Sequence, residues 1–540
     1  MSINDLRTVD GSRPIETDLC LIGSGPAGWA IAEELKDSGL RILMLESGGH
    51  TVEPDTAALN EIEDVGTRLF NGRSRVLGGT SYLWNGRCMP FDDIDYEERP
   101  WLPRSGWPFG PETMVPYVNR ASEHLAAGPY YNGRTRRPVP RGLVSRPSVD
   151  PALMRATWWE NPASIQFGQF LTHRRNPNLW VLLRATVTHL NTDPFGRQVQ
   201  SVEVADAAGR RLTVRARAFV LCAGGIENPR IMLCSNRVSP NGVGNEHDTV
   251  GRFLMDHPRD FELIARVDAG DAERFRDLFG PHVMDNERGR HDFIFGYTLS
   301  PERQRAEQLL NTAAWPYEVY SPSDPFEAVT RLAKGPRDHV LRDAVIAAAH
   351  PALLLKAVRS RRIRQRIRHK VERIGFLVSS EQVPNPDSRV QLGKVKDHLG
   401  LPISRVDWRV HELEARSQAA LAQSIQSEFA RLGLPAIRIA DWVRNGNWKD
   451  AKFVDGCHPI GTTRMSVRPE DGVVDADCKV HGVDGLYVAG SSVFSTAGHA
   501  NPTLMILALA VRLADHLRRS MSMKAASDAA RTQPAFQVAV

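Results

Sequence analysis

The run Gly23-Ser24-Gly25-Pro26-Ala27-Gly28 spaces its glycines as G-x-G-x-x-G. Glycines so placed make a tight turn, let the backbone approach a pyrophosphate and let a helix pack on a strand. The phosphates then meet a helix N-terminus, where free N–H groups and the dipole favour negative charge. Glu46 follows about 20 residues on, where an acid binds adenosine ribose hydroxyls and repels a 2′-phosphate. A dinucleotide is implied, and the motif alone does not separate FAD from NAD. Gly48-Gly49, Gly78-Gly79-Thr80-Ser81, Ala223-Gly224-Gly225 and Ala489-Gly490-Ser491 are further signals of close approach. His458 stands in Gly456-Cys457-His458-Pro459-Ile460-Gly461. An imidazole titrates near working pH and suits proton removal from an alcohol, although a loop histidine of structural role would look the same. Asn501, in Gly498-His499-Ala500-Asn501-Pro502-Thr503, suits an N-cap, with Pro502 at the first helical position. The positive end of that helix could face a flavin pyrimidine ring, which becomes anionic on reduction; equally, Asn501 could be a cap and nothing more.

These residues need a scaffold. Asp18–Gly23 reads as a buried strand, Ala27–Ser38 as a helix stopped by Gly39, and Leu40–Leu45 as a second apolar strand. That βαβ order predicts a parallel sheet with helices on its faces. Trp180–Leu183, Thr186–Leu190, Val199–Ala205, Arg211–Arg215 and Ala218–Cys222 read as strands. Leu486–Val488 is a short apolar strand and Leu504–Leu517 an apolar helix. Pro90–Asn178 is rich in Pro, Arg and Trp. Asp256–Lys452 mixes strand-like segments (Phe261–Val267, His291–Leu299, Arg373–Ser380, Arg389–Leu392) with helices such as Glu412–Leu432. The simplest arrangement is α/β: a Rossmann-like nucleotide domain from residues 14–89, 175–255 and 452–520. A second, α+β domain built on an antiparallel sheet would take 90–174 and 256–451. Residues 521–540, rich in Ala and Ser, are expected to form a disordered tail.

The chain has 540 residues, 42% of them hydrophobic, enough to enclose a large cofactor. Its six cysteines form no C-x-x-C pair, so no metal site is signalled, and they read as reduced core residues. The polar N-terminus and the absence of a long apolar run point to a soluble, cytoplasmic protein. The net charge of +5 is concentrated in Lys356–Arg373, with nine Lys or Arg against one Glu. One patch does not make a nucleic-acid-binding protein. Ile363, Ile367 and Val371 give the patch a helical apolar stripe. It reads as a solvated helix packed on the body, or alternatively as a contact for an anionic membrane surface.

Taken together, Gly23–Gly28, Glu46-Ser47-Gly48-Gly49, Gly78–Ser81, Gly251–Pro258, His458–Gly461 and Asn501–Leu504 resemble the glucose–methanol–choline (GMC) oxidoreductases. The motifs follow that family's order and cover the flavin-binding half, while the other half matches in general layout. Leu486–Asp515 is most similar to pyranose oxidase and related bacterial sugar and glycoside oxidases. The resemblance implies an FAD-binding domain like that of p-hydroxybenzoate hydroxylase. It places Gly23, Gly25, Pro26, Ala27, Gly28, Glu46, Ser47, Gly79, Thr80, Ser81, Asn85, Ala223, Gly490, Asn501, Pro502 and Thr503 against FAD, with the Val187 backbone reading adenine. It makes His458 the catalytic histidine and Asn501 its partner, with His499 behind the pair or at the substrate. Relatives with covalent flavin carry a histidine where Leu83 precedes Trp84, so FAD is expected to be non-covalent. Glu381 and Gln382, ending a strand before a two-proline loop, are candidates for recognising substrate hydroxyls, and a surface loop fits them as well.

The expected reaction sets a substrate hydroxyl between His458 and Asn501, passes its proton to His458 and a hydride to flavin N5, and returns electrons to oxygen or another acceptor. The substrate implied is a small alcohol, a sugar or glycoside. An aminoglycoside oxidase of antibiotic biosynthesis is a narrower version. A lyase that uses FAD as scaffold and a flavin-bound interaction protein are alternatives of other classes.

Overall fold

The computed structural model describes residues 2–532 apart from 66–71, 138–147, 163–164, 174–175, 266–273, 276, 281, 287–288, 335–338 and 352–368. Its apolar runs form the parallel sheet that the βαβ pattern predicts. Ile15–Ile22 and Ile42–Leu45 lie side by side, joined by the helix Pro26–Glu34. Every residue of Ile42–Leu45 is buried, as a strand covered on both faces requires. Across the sheet the order is Ser2–Asp5, Leu179–Leu183, Ile42–Leu45, Ile15–Ile22, Arg211–Leu221, Val199–Ala205 and Thr186–Thr192. The first five run parallel and the last two fold back as an antiparallel meander.

Arg211–Arg215 and Ala218–Cys222, expected as separate strands, are one strand, Arg211–Leu221. Its first half pairs with Val199–Ala205, and Phe219–Leu221 pair in parallel with Leu486–Val488. A single strand therefore divides one edge between the middle and the far end of the sequence.

The second sheet is antiparallel, in the order His282–Asn286, Gly289–Leu299, Thr312–Tyr320, Val371–Ser380, Arg259–Ala265 and Ile437–Arg438. Met154–Asn161 also pairs with Gly289–Leu299. The helix Glu412–Arg431 packs on this sheet through Ala415, Leu421, Ala422, Ile425 and Phe429, all buried. The strand Met154–Asn161 and the helix Pro111–His124 lie in the Pro- and Trp-rich stretch that showed no clear pattern in sequence. The helix buries Met114, Val118 and Ala121, spaced along one face.

The C-terminal helix runs Thr503–Thr532 and packs on Pro26–Glu34 and Pro111–His124. It passes through Met521, where a disordered tail was expected; an Ala-rich sequence has high helix propensity and extends the helix. Residues 533–540 lie outside the described residues, as does most of the basic segment 356–373, including the face expected to meet a membrane. Val371–Arg373, read as the end of that helix, instead open the strand Val371–Ser380. Among the described residues no helix is long and apolar enough to cross a membrane. Five cysteines are buried and unpaired; Cys457 is exposed, contrary to its reading as a core residue.

Candidate active site

Three strand ends converge. Gly23 N donates to Leu45 O, Cys222 N to Ile22 O and Ala489 N to Leu221 O, each at 2.8 Å. The carboxyl ends of three parallel strands thus open at one place, tipped by Gly23, Ala223-Gly224 and Gly490, where open α/β sheets bind ligands. The glycines here do different work. Gly23 has φ +113, and a Cβ on it would lie 2.6 Å from Cys222 O. A Cβ on Gly28 would lie 2.1 Å from Gly23 O, so this glycine lets the helix touch the turn. At Gly25, with φ −65, and at the buried Gly490, an added Cβ would meet nothing within 4 Å. A methyl on Gly25, at the first helix N-terminus, would thus enter open space, and the pyrophosphate of FAD fits such a place chemically.

The close approach expected at Gly48 and Gly78 is to backbone rather than ligand: a Cβ would meet Arg75 O at 2.1 Å and Gly168 N at 2.2 Å. Gly79 brings its loop against the turn, with Gly25 Cα 3.1 Å from its Cβ position. The buried Glu46 accepts from Ser24 Oγ at 2.5 Å and from Gly48 N at 2.8 Å, so it braces the turn with both oxygens. Ser47 Oγ lies 2.7 Å from Thr186 Oγ1, and Ser81 Oγ donates to Gly78 O at 2.6 Å. Thr80 and Asn85 are exposed, and Val187 is buried on the edge strand Thr186–Thr192.

His458 is half-buried in the loop that follows Gly456. Asp256, buried at the end of the Gly251–Pro258 motif, fixes that loop by accepting from Gly456 N and His458 N, both at 2.8 Å, and from His257 N at 2.5 Å. Burial and nearby Asp455 push the Asp256 carboxyl up to about 7. His458 Nδ1 lies 2.9 Å from His257 Nδ1, and His257 Nε2 lies 3.3 Å from Ala497 O. His257 thus ties the His458 loop to the segment leading into Asn501. Burial and the Arg259 charge hold His257 down to about 3. Burial, then Arg259 and His257, hold His458 well below the usual imidazole value. Both rings are neutral at neutral pH.

Asn501 does not cap the last helix. The helix begins at Thr503 and Ile506 N bonds to Pro502 O, so Pro502 holds the cap position. The Asn501 amide makes no hydrogen bond among the described residues and remains free. His499 is buried, with Trp159 edge-on at 6.2 Å and Asp92 Oδ2 at 3.8 Å from Nδ1. Neither of its ring nitrogens has a hydrogen-bond partner, and burial pushes it down to about 4.

Glu381 and Gln382 are buried and committed to internal partners, not in a surface loop. Glu381 is fully buried and forked by Arg99, at 2.6 and 2.7 Å. Gln382 Oε1 accepts from Asp256 N and Trp408 Nε1, both at 2.7 Å, and its amide donates to Arg409 O. The polarity that suggested hydroxyl recognition is spent internally. Sequence reasoning gave no role to Asp256, His257 or Arg259, although the first two stand in the Gly251–Pro258 motif.

Two family models, each described as GMC oxidoreductase, match residues 164–259 and 384–510. The chain belongs to the GMC oxidoreductase family. As a GMC enzyme it is an FAD-dependent oxidoreductase acting on CH–OH groups. This GMC chain is 23% identical to 2-methyl-1,2-propanediol dehydrogenase of Mycolicibacterium austroafricanum, over 94% of its length and 96% of the relative's. It is 25% identical to C-glycoside 3-oxidase of Arthrobacter globiformis, over 93% and 95%. Relatives at this distance span alcohol and sugar enzymes and favour no branch of the GMC family, including the pyranose oxidase branch. A solved structure of formate oxidase superposes with a TM-score of 0.58 at 16% identity, covering 95% of this chain and all of that one. That likeness supports the α/β GMC fold, with a Rossmann-like parallel sheet beside an antiparallel one.

Proposed function

We propose that this GMC enzyme oxidises a CH–OH group of a sugar-like or polyol substrate, with His458 as the base and Asn501 as its partner on the same oxygen. The observation that carries the reading is the His257–His458 hydrogen bond. Ala497 O can only accept, so His257 Nε2 carries the hydrogen and its Nδ1 keeps a lone pair. His458 Nδ1 then donates to that lone pair, which leaves His458 Nε2 unprotonated. The tautomer is set by the partner on the other nitrogen. His458 Nε2 takes the hydroxyl proton, the free Asn501 amide donates to the developing alkoxide, and the C–H electron pair leaves with its hydrogen as hydride while the carbonyl forms. Stabilising that alkoxide is the main task of the two side chains.

FAD bound at the glycine turn would supply the hydride acceptor. Gly23–Gly28, with Gly25, Pro26 and Ala27 at the helix N-terminus, would take the pyrophosphate. Glu46 and Ser47 would take the ribose, and Val187 the adenine. Gly79, Thr80, Ser81, Asn85, Ala223, Gly490, Pro502 and Thr503 would line the remainder. Leu83 offers no side chain for a covalent link, which supports non-covalent FAD. The sugar-like substrate is supported by relatives such as the C-glycoside 3-oxidase.

The test is anaerobic flavin bleaching with a panel of polyols, sugars and hydroxy acids, repeated on His458→Ala. The variant should hold yellow flavin yet reduce it about 10²–10⁴-fold more slowly. Unchanged reduction would remove His458 from the role of base, and turnover without bleaching would indicate a lyase.

A further inference from the structure

The strands Thr312–Tyr320 and Val371–Ser380 are paired neighbours, with Tyr320 opposite Val371, so the chain between them makes one excursion from the antiparallel sheet. Ser321 N donates to Lys370 O at 2.8 Å and closes its neck. The other end of Val371–Ser380 meets the Gly251–Pro258 motif, where Ser380 N donates to Pro258 O at 3.2 Å. The strand has 10 residues, which when extended span roughly 33 Å. The neck therefore stands at the end of the sheet away from the motif that fixes His458.

Two helices of the excursion, Pro325–Lys334 and Val340–Ala348, pack on each other. Arg331 of the first forks Asp343 of the second at 2.8 and 2.9 Å, and Arg342 stands 3.5 Å from the same carboxylate. The acids of these helices turn inward: Asp343 is buried, and Glu327 is half-buried 3.7 Å from His369 Nδ1. The aliphatic side chains do the reverse. Leu341 is 84% exposed and Val345 68%, one turn apart on a single face, and Val340 beside them is exposed as well. On the first helix Val329 and Leu332, again one turn apart, are exposed. A packed helix ordinarily turns its aliphatics to its neighbours and its charges to water. Paired exposed aliphatics on both helices are not the single scattered ones that any surface carries.

We infer that this helix pair docks on the surface of an anionic lipid bilayer, with Leu341 and Val345 entering the boundary between headgroups and acyl chains. Charge selects that occupant. Arg342, 47% exposed, sits beside Leu341, and the sequence that continues from the second helix carries nine Lys or Arg against one Glu over Lys356–Arg373. Aliphatics that enter the interface and cations that meet lipid phosphates are the two components of interfacial binding. A nucleic acid would satisfy the charge and leave Leu341 and Val345 in water. A second copy of the chain would cover the aliphatics but set like charges against each other. The contact is peripheral, since neither helix is long and apolar enough to cross a bilayer.

The test is flotation of the full-length holoenzyme with vesicles of phosphatidylcholine alone and of equal parts phosphatidylcholine and phosphatidylglycerol. Flavin content, melting temperature and mass by light scattering are recorded for every protein. The wild type should float with the anionic vesicles, stay behind with the neutral ones and lose binding as salt rises. Leu341→Gln combined with Val345→Gln should weaken binding about tenfold or more, the scale for losing buried aliphatic side chains. Arg342→Gln should weaken it about fivefold, the worth of one basic residue near an anionic surface. Flavin content and melting temperature should hold in both variants, because these side chains face water. No flotation of the wild type, or equal flotation with neutral vesicles, overturns the inference. Flotation that the double Gln variant leaves intact also overturns it, since the basic sequence alone would then hold the lipid. A dimer that the double Gln variant dissolves, without flotation, gives the surface to a second copy and overturns it too. Each of these outcomes leaves alcohol oxidation standing, because flavin reduction is read separately.

Discussion

His257 and His458 meet Nδ1 to Nδ1 at 2.9 Å, their rings 82° apart. One of the two must donate, and the Ala497 carbonyl decides which. Replacing His257 by Phe keeps the bulk and removes the acceptor. Flavin should stay bound while its reduction slows about 10–100-fold, the scale for losing a group that orients a reacting imidazole. Stopped-flow reduction under saturating substrate reads this as a fall in the limiting rate with little change in KM. An unchanged limiting rate would mean that the tautomer is set elsewhere.

The pH profile follows from the same geometry. The neutral form of His458 is the competent one, and its pKa is held below the usual 6.5. Activity should therefore persist as pH falls through 6.5 and decline only when the ring gains a proton at lower pH. Arg259→Gln removes a charge that depresses His458 and should move the acid limb of kcat/KM upward. A limb already at or above 6.5 in the wild type would assign the titration to another group.

The glycines of the turn make opposite predictions. Gly25→Ala places its methyl in open space, so the chain should fold and melt nearly as before but retain far less FAD by absorbance ratio. Gly28→Ala drives its methyl to 2.1 Å from Gly23 O and should destabilise the protein itself. Full flavin content in Gly25→Ala would move the pyrophosphate away from this turn.

Arg99 and Glu381 form a buried fork. Arg99→Ala leaves a carboxylate stranded and should cost about 3–5 kcal/mol, read as a lower urea midpoint. Arg99→Met with Glu381→Leu should recover much of the loss. Equal stability of Arg99→Ala and wild type would contradict the pairing.

How far sequence reached depends on how local each signal was. The nucleotide sheet was legible because its strands are short apolar runs next to a glycine turn, and adjacent residues encode all of that. His458 and Asn501 stood out through their immediate neighbours. His257 gains its meaning only from a residue 201 positions away, and Glu381 was misread because its partner is 282 positions away. Two strand segments were read where one exists because Arg215-Ala216-Arg217 looks like a break, yet the stretch stays extended because Arg215 pairs on both edges and Ala216 pairs with Thr17. The helix after Met521 was missed because its Ala and Ser content resembles that of unstructured sequence, while the last helix was already nucleated and needed only propagation.

The strand Arg211–Leu221 finishes its edge with Leu486–Val488, and that fixes an order in time. During synthesis the glycine turn and its helix emerge early, but the third wall of the crevice, with Gly490 at its tip, leaves the ribosome after most of the chain. A nascent polypeptide lacking that strand has a half-built crevice from which a flavin can escape sideways. The crevice is therefore complete only once both ends of the message have been translated.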